Sequence, residues 1–214
     1  MGSWFAPIWK SLTAGYVVEP SLAEDGIRQV ERAYSGHNRF YHNADHVLTL
    51  LKLSAEYRQL LKAPLLVDFA IVYHDLVYSA VRKDNEARSA YYAAMRLSSI
   101  GLSDAEIDLV KLYIEATQHH SIPPGLEHAS DLAFFLDFDM AILGSPWEEY
   151  ESYTLKVRKE YGIYPDFLYK PGRSKFLEQC LAAPAIFHTP QFHEKYDAAA
   201  RSNMQKELQY LCGK

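Results

Sequence analysis

The stretch LLVDFAIVYHDLVYSA, residues 65–80, constrains the fold more than any other segment of this chain. It is apolar on nearly every face of the helix that its spacing predicts, and such a helix is buried on most sides. The dipeptide His74–Asp75 is therefore carried into the interior, near the C-terminal end of the helix. Because burying an unpaired carboxylate is costly, this pair needs partners from elsewhere in the chain.

Helical periodicity continues through most of the sequence, and no alternating run of useful length predicts a strand. Breakers such as Pro64 and Gly101 separate the periodic segments, and Ser103 with Glu106 is typical of a capping box. The sequence therefore predicts an all-α fold, a helical bundle. Its nine helices are expected at about residues 21–35, 44–61, 65–80, 85–100, 104–120, 129–143, 146–162, 165–182 and 190–211.

Length and composition narrow the class of protein. With 214 residues the chain fits one well-filled domain, so we expect a single domain over residues 1–214. A net charge of −5 argues against binding to a nucleic-acid polymer. The two cysteines form no close motif, the N-terminus does not resemble a signal peptide, and no apolar run reaches the roughly 18 residues of a membrane span. We expect a cytoplasmic protein that does not engage membranes.

Two more polar residues lie on stripes that should face the core. From His46, steps of four and three residues lead to Leu50 and onward along apolar positions, and the stripe of Asp139 includes Leu132. Asp137, two residues before Asp139, points elsewhere on the same helix. A single histidine on such a stripe is more often a hydrogen-bonded core residue than a metal ligand. A metal site is therefore inferred only from the several polar residues that face the core together.

The buried carboxylates Asp75 and Asp139 need positive charge, and no Lys or Arg lies on the same stripes. A divalent cation bound by His46, His74, Asp75 and Asp139 would supply it. Two imidazoles and two carboxylates leave positions open for water and substrate, as a catalytic metal requires. The mixed nitrogen and oxygen set suits Mn, Fe, Co, Ni or Zn and, less naturally, Mg.

The order of these residues resembles the H…HD…D signature of the HD superfamily of metal-dependent phosphohydrolases. The wider chain is similar to the subgroup of uncharacterised predicted HD phosphohydrolases. The similar segments are YHNADHV (41–47), YHDLVY (73–78), NEARSA (85–90), ATQHH (116–120), FLDFDMAILG (135–144), VRKEYG (157–162) and GRSKFL (172–177). The resemblance implies an HD-type domain with its core at about residues 40–177, on which N-terminal helices and a C-terminal helix pack.

This resemblance implies hydrolysis of a small phosphate ester, with nucleotides the usual substrates of the superfamily, by metal-activated water. Asp75 would then orient the water as well as bind the metal, and Glu86 is our candidate general acid or base. We expect Arg173 in a loop after Gly172, where a guanidinium could hold phosphate oxygens. The candidates for substrate contact are His42, Asn43, His120 and Arg173.

Two other functions stay open. An HD-type di-iron oxygenase needs further histidines between the dyad and the last Asp, and His119, His120 and His128 lie in that interval. A non-catalytic sensor module would keep the metal pocket in order to bind a nucleotide or another phosphorylated ligand. A helical scaffold without metal would leave the buried carboxylates unexplained. The sequence does not indicate the oligomeric state.

Overall fold

The structure, a computed structural model, describes residues 2–213, and these residues form helices, turns and loops without any strand. The predicted all-α class is confirmed. Short 3-10 helices occur at Arg58–Leu60 and Ala141–Gly144. The α-helices are α1 (Ala6–Leu12), α2 (Pro20–Tyr34), α3 (Ala44–Glu56), α4 (Pro64–Tyr73), α5 (Asn85–Ser99), α6 (Asp104–Ala116), α7 (Ala129–Met140), α8 (Trp147–Glu160), α9 (Asp166–Ala182) and α10 (Pro190–Leu211). Nine were expected; α1 was not predicted.

Backbone packing divides the chain into two units, one ending at Phe135 and the other beginning at Leu136. The expected single domain over residues 1–214 stays a prediction. In the first unit α4 is the central helix and packs against α1, α3, α5 and α6. Every residue of α4 from Leu66 to Tyr73 is buried, as the apolar sequence predicts.

Local chemistry sets the start of α4. Pro64 occupies its first turn, where a missing backbone N–H costs nothing. The buried carboxylate of Asp131 accepts hydrogen bonds from the backbone amides of Lys62, at 2.9 Å, and Ala63, at 2.7 Å. A carboxylate at the N-terminus of a helix also interacts favourably with the positive end of the helix dipole. Asp131 therefore fixes the point at which the central helix begins.

Three predicted helix ends are wrong. Helix α4 ends at Tyr73 rather than at residue 80, so His74 is its C-cap residue and Asp75 lies beyond it. Helix α3 ends at Glu56 rather than at residue 61. Helix α6 ends at Ala116 rather than at residue 120, and His120 lies in the following turn with a φ of 45°. That φ is in the left-handed region, so the helix cannot extend through His120.

In the second unit α10 packs against α9 and against the 3-10 helix at Ala141–Gly144. A Cβ at Gly144 would lie 2.6 Å from the Cβ of Tyr196, so the close approach of these two elements requires glycine. The buried carboxylate of Asp197 accepts from the Ile186 amide at 2.7 Å and from Arg201 Nε at 2.6 Å, which ties α10 to the preceding segment.

Among residues 2–213, no helix has the length and apolar character needed to cross a membrane.

Candidate metal centre

Three of the four predicted metal ligands meet in the first unit. His46 lies in the first turn of α3, His74 at the C-cap of α4, and Asp75 directly after it. One ligand atom from each residue lies within 4.8 Å of the other two. The Nε2 atoms of His46 and His74 are 3.2 Å apart, and Asp75 Oδ2 lies 3.2 Å from His74 Nε2 and 3.9 Å from His46 Nε2.

These spacings fit the coordination of a small divalent cation. Bonds of about 2.1 Å place neighbouring ligand atoms about 3.0 Å apart in an octahedral site and about 3.4 Å apart in a tetrahedral one. The two 3.2 Å separations lie between these values, and the 3.9 Å separation is somewhat wider. The cluster thus offers two nitrogens and one oxygen at metal-ligand spacing.

A backbone contact fixes the protonation of His74. Its Nδ1 lies 2.8 Å from the carbonyl oxygen of Ile71, and because a carbonyl only accepts, Nδ1 carries the proton. In the neutral ring the lone pair is then on Nε2, the atom that faces His46 and Asp75. Metal-binding histidines commonly donate their other N–H to a carbonyl in this way. Two facing lone pairs repel, so a proton or a cation must lie between the two Nε2 atoms.

Asp75 supplies negative charge to the cluster. Burial by itself raises the pKa of its carboxyl, but the positive charges that His74, His42 and His46 carry when protonated, and the hydrogen bond that a protonated His74 donates, outweigh burial and hold the pKa well below its usual range. The carboxylate is therefore ionised at neutral pH. Both histidine side chains are 2 % exposed, whereas that of Asp75 is 17 % exposed. Solvent thus reaches the cluster from the carboxylate side.

Arg39 organises the backbone around the cluster, and sequence reasoning did not identify it. Its Nη1 donates to the carbonyl oxygens of His42, at 3.1 Å, and Asp75, at 2.7 Å, while Nη2 donates to that of Leu76 at 2.9 Å. The guanidinium also lies 5.0 Å from the ring centroid of Tyr34 and 5.4 Å from that of Tyr78. Arg39 therefore joins the segment before His46 to the segment that carries Asp75.

His42 lies beside the cluster rather than on α3, which begins two residues later. Its ring centroid is 5.6 Å from that of His46, and its ring stacks on Tyr78 with centroids 4.3 Å apart. Tyr41 contacts both histidines, at 5.0 Å each between ring centroids. These rings form a half-buried aromatic rim on one side of the cluster. The predicted substrate contact by His42 stays a prediction.

The other predicted site residues of the first unit have diverse surroundings. Asn43 is the N-cap of α3: its side chain accepts from the Asp45 amide at 2.9 Å and donates to the Phe40 carbonyl at 3.2 Å. Glu86 is half-buried in the first turn of α5. His120 is half-buried in the turn after α6. Their predicted roles in substrate contact and acid–base catalysis are not tested by this arrangement.

Asp137 and Asp139 differ from the expectation in their burial. Asp137 is 1 % exposed, so it does not point away from the interior, whereas Asp139 is half-buried. Asp137 accepts from the amides of His188 and Thr189, both at 2.7 Å, and from Thr189 Oγ1 at 2.6 Å. Both of its oxygens are thus occupied at the start of α10. Asp139 belongs to the second unit and lies near Tyr153. Burial is the main cause that raises the pKa of the Tyr153 hydroxyl, and the charge of Asp139 raises it further. Its role as the fourth ligand stays a prediction.

Two expectations for Arg173 exclude each other, a helix over residues 165–182 and a loop after Gly172; the structure shows the helix, so the predicted loop is wrong. Arg173 lies within α9 and is 9 % exposed. Its Nε and Nη2 donate to the two carboxylate oxygens of Glu207 at 2.8 and 3.0 Å, and Nη1 lies 3.2 Å from the Tyr153 hydroxyl. Tyr150 also donates to Glu207. The guanidinium that was expected to hold phosphate is thus part of a buried ion pair, and its predicted role in substrate contact stays untested.

No protein-family model matches the chain, and no curated protein sequence matches it. The HD superfamily resemblance therefore continues to rest on the motif residues themselves.

Proposed function

We propose that the protein is a metal-dependent phosphohydrolase that cleaves a small phosphate ester, with nucleotides as the first substrates to test. The observation that carries this proposal is the convergence of His46, His74 and Asp75 at metal-ligand spacing. Asp139 is the fourth ligand that the sequence predicts. A divalent cation held there would polarise a phosphoryl oxygen and lower the pKa of a bound water.

The residues of the cluster have separate tasks in this proposal. His74 presents its Nε2 lone pair because the Ile71 carbonyl holds its Nδ1 proton. Asp75, ionised and reached by solvent, balances positive charge and orients the attacking water. Arg39 keeps the backbone on both sides of the cluster in place through three carbonyl contacts. Glu86 is the proposed general acid or base, and His42, Asn43 and His120 are the proposed substrate contacts of this unit.

The test is phosphate release from a panel of nucleotides and simple phosphate esters, with Mn²⁺, Co²⁺, Ni²⁺, Zn²⁺ or Mg²⁺. His74→Ala should abolish release. His37→Ala is the matched control, because His37 is an exposed histidine outside the cluster. Wild-type protein and His37→Ala should release phosphate at the same rate. Absence of release from every ester and metal, or full activity of His74→Ala, would contradict the proposal.

The same samples separate the alternative functions. A di-iron oxygenase would contain close to two irons and form a product only with oxygen. A sensor module would show a ligand-induced rise in melting temperature without turnover.

A further inference from the structure

A concavity of about 520 Å³ lies in the first unit and shares no lining residue with the metal cluster. Helix α2 contributes Arg28 and Arg32, helix α5 contributes Tyr92 and Arg96, and the segment after α4 contributes Leu76 with Val77. We call it the arginine pocket. Its volume lies within the range of about 300–1,000 Å³ that is typical of small-molecule sites.

The charge of the arginine pocket is opposite to that of the protein as a whole. Three arginines and one acidic residue, Asp25, line it, whereas the chain has a net charge of −5. Asp25 pairs with Arg28 at 2.6 Å, but both side chains are more than half exposed, so this ion pair is weak and easily exchanged. The pocket therefore retains positive charge from Arg32 and Arg96.

Within the part of the chain that the structure describes, Arg96 is held in place without a carboxylate partner. Its Nη1 donates to the Leu22 carbonyl at 3.0 Å, its Nη2 lies 3.5 Å from Gln29 Oε1, and its buried Nε has no hydrogen-bond partner within residues 2–213. Arg32 is exposed and forms no ion pair among the described residues. A fixed guanidinium and an exposed one, on two neighbouring walls, present N–H donors to an incoming anion.

The remaining wall suits the non-ionic part of a ligand. Leu76 is buried and Val77 and Tyr92 are half-buried, so they offer apolar and aromatic surface. Ser89 Oγ accepts from the Val77 amide at 3.0 Å and lies 3.3 Å from the Val77 carbonyl, which anchors the Val77 backbone on α5. A pocket with guanidinium donors at one side and an apolar, aromatic wall at the other matches a molecule with a charged and an uncharged end.

From this arrangement we infer that the arginine pocket binds a small organic phosphate, with the phosphate group on Arg32 and Arg96 and the organic part on Leu76, Val77 and Tyr92. Arginine binds phosphate oxygens in pairs, which favours phosphate over a single halide ion. This binding is separate from the proposed hydrolysis and does not require metal.

The experiment is calorimetric titration of full-length, metal-free protein with AMP, and with adenosine as the probe that lacks phosphate. AMP should bind at one site and adenosine should bind at least tenfold more weakly. Arg32→Gln should weaken AMP binding by about tenfold or more, since it removes charge-assisted hydrogen bonds to the phosphate group. Arg32 is exposed, so this variant should keep the wild-type circular dichroism spectrum.

The matched control is Arg88→Gln, which removes the same charge from α5 at a position outside the pocket. It should bind AMP as wild type does, and so should His74→Ala. Any of three results would overturn the inference: no AMP binding by wild type, equal weakening by Arg88→Gln and Arg32→Gln, or loss of AMP binding in His74→Ala. A protein that binds AMP in this way but never hydrolyses an ester would refute only the proposed function.

Discussion

The substitutions Asp137→Asn and Asp139→Asn should have opposite consequences, although the two residues are separated by a single position. Asp137 accepts three hydrogen bonds at the start of α10, and Thr189, which donates two of them, is also the N-cap of that helix. Asp139 is half-buried and is the predicted fourth metal ligand. We therefore expect Asp137→Asn to affect stability and Asp139→Asn to affect metal binding.

The cost of Asp137→Asn follows from its contacts. The amide nitrogen of Asn cannot accept, so at least one of the three donors loses its partner, at about 1.5–3 kcal/mol for a bond to a charged group. Burial raises the pKa of the Asp137 carboxyl despite the bonds from Thr189 and His188, so removing the buried charge offsets part of this loss. We expect a net destabilisation of about 2 kcal/mol. For a chain of this length that lowers the melting temperature by about 4–8 °C.

Thermal unfolding followed by circular dichroism measures the stability of each variant. Titration of the metal-free protein with Mn²⁺ or Zn²⁺ measures its affinity for metal. Asp139→Asn should change stability by about 1 kcal/mol or less. It should weaken metal binding by at least about 100-fold, which is the upper range for residues that only support a ligand. The reasoning is refuted if Asp137→Asn loses the metal while its melting temperature is unchanged, or if Asp139→Asn binds metal as wild type does.

Three further predictions concern other residues. Arg39→Lys cannot reach three carbonyls at once and should weaken metal binding by about tenfold in the same titration, whereas Arg82→Lys, an exposed control, should not. Arg173→Met leaves the buried carboxylate of Glu207 unpaired and should cost about 3–5 kcal/mol in urea unfolding, with metal binding retained; unchanged stability would contradict the buried ion pair. Burial raises the pKa of the Asp197 carboxyl, but its hydrogen bonds outweigh burial and lower that pKa. The loss of stability caused by Asp197→Asn should therefore be largest near neutral pH and should shrink as the pH falls below about 4. A loss of stability that does not change with pH would contradict this stabilising role of the ionised carboxylate.

The helices were predictable wherever local signals set their limits. Ser103 and Glu106 form the expected capping box, with the Ser103 amide 2.9 Å from the Glu106 carboxylate. Pro64 and Pro190 lie in the first turns of their helices, as breakers do when they begin rather than end a helix. These interactions join residues a few positions apart, and a sequence pattern can therefore reveal them.

The end of α4 was not predictable, because its cause is not local. Residues 76–78, which follow the His74–Asp75 pair, are apolar, so the pattern continues the helix. In the structure, the Arg39 guanidinium donates hydrogen bonds to the carbonyls of Asp75 and Leu76. The Val77 amide donates to the Ser89 hydroxyl. Partners distant in sequence thus satisfy backbone groups that a longer helix would have paired internally. Because these contacts are distant in sequence, neither a motif nor helical periodicity predicts the role of Arg39.

The site itself was predictable in part. Burial of His46 and His74 follows from the apolar spacing around them, and the structure confirms both. The relative burial of Asp137 and Asp139 depends on Thr189, which approaches from a later segment. The loop at Arg173 was predicted wrongly because Pro171 and Gly172 usually end helices, yet α9 continues through them. Phe167, whose carbonyl loses its helical partner at Pro171, is 74 % exposed, so water can replace that bond.

The most direct test of the metal centre is the metal content of purified protein after incubation with divalent cations and dialysis. Wild type and His37→Ala should retain a stoichiometric amount of cation, and His74→Ala should retain almost none. A wild-type protein without bound metal, or a His74→Ala variant that keeps the full metal content, would contradict the assignment of this cluster as a metal site.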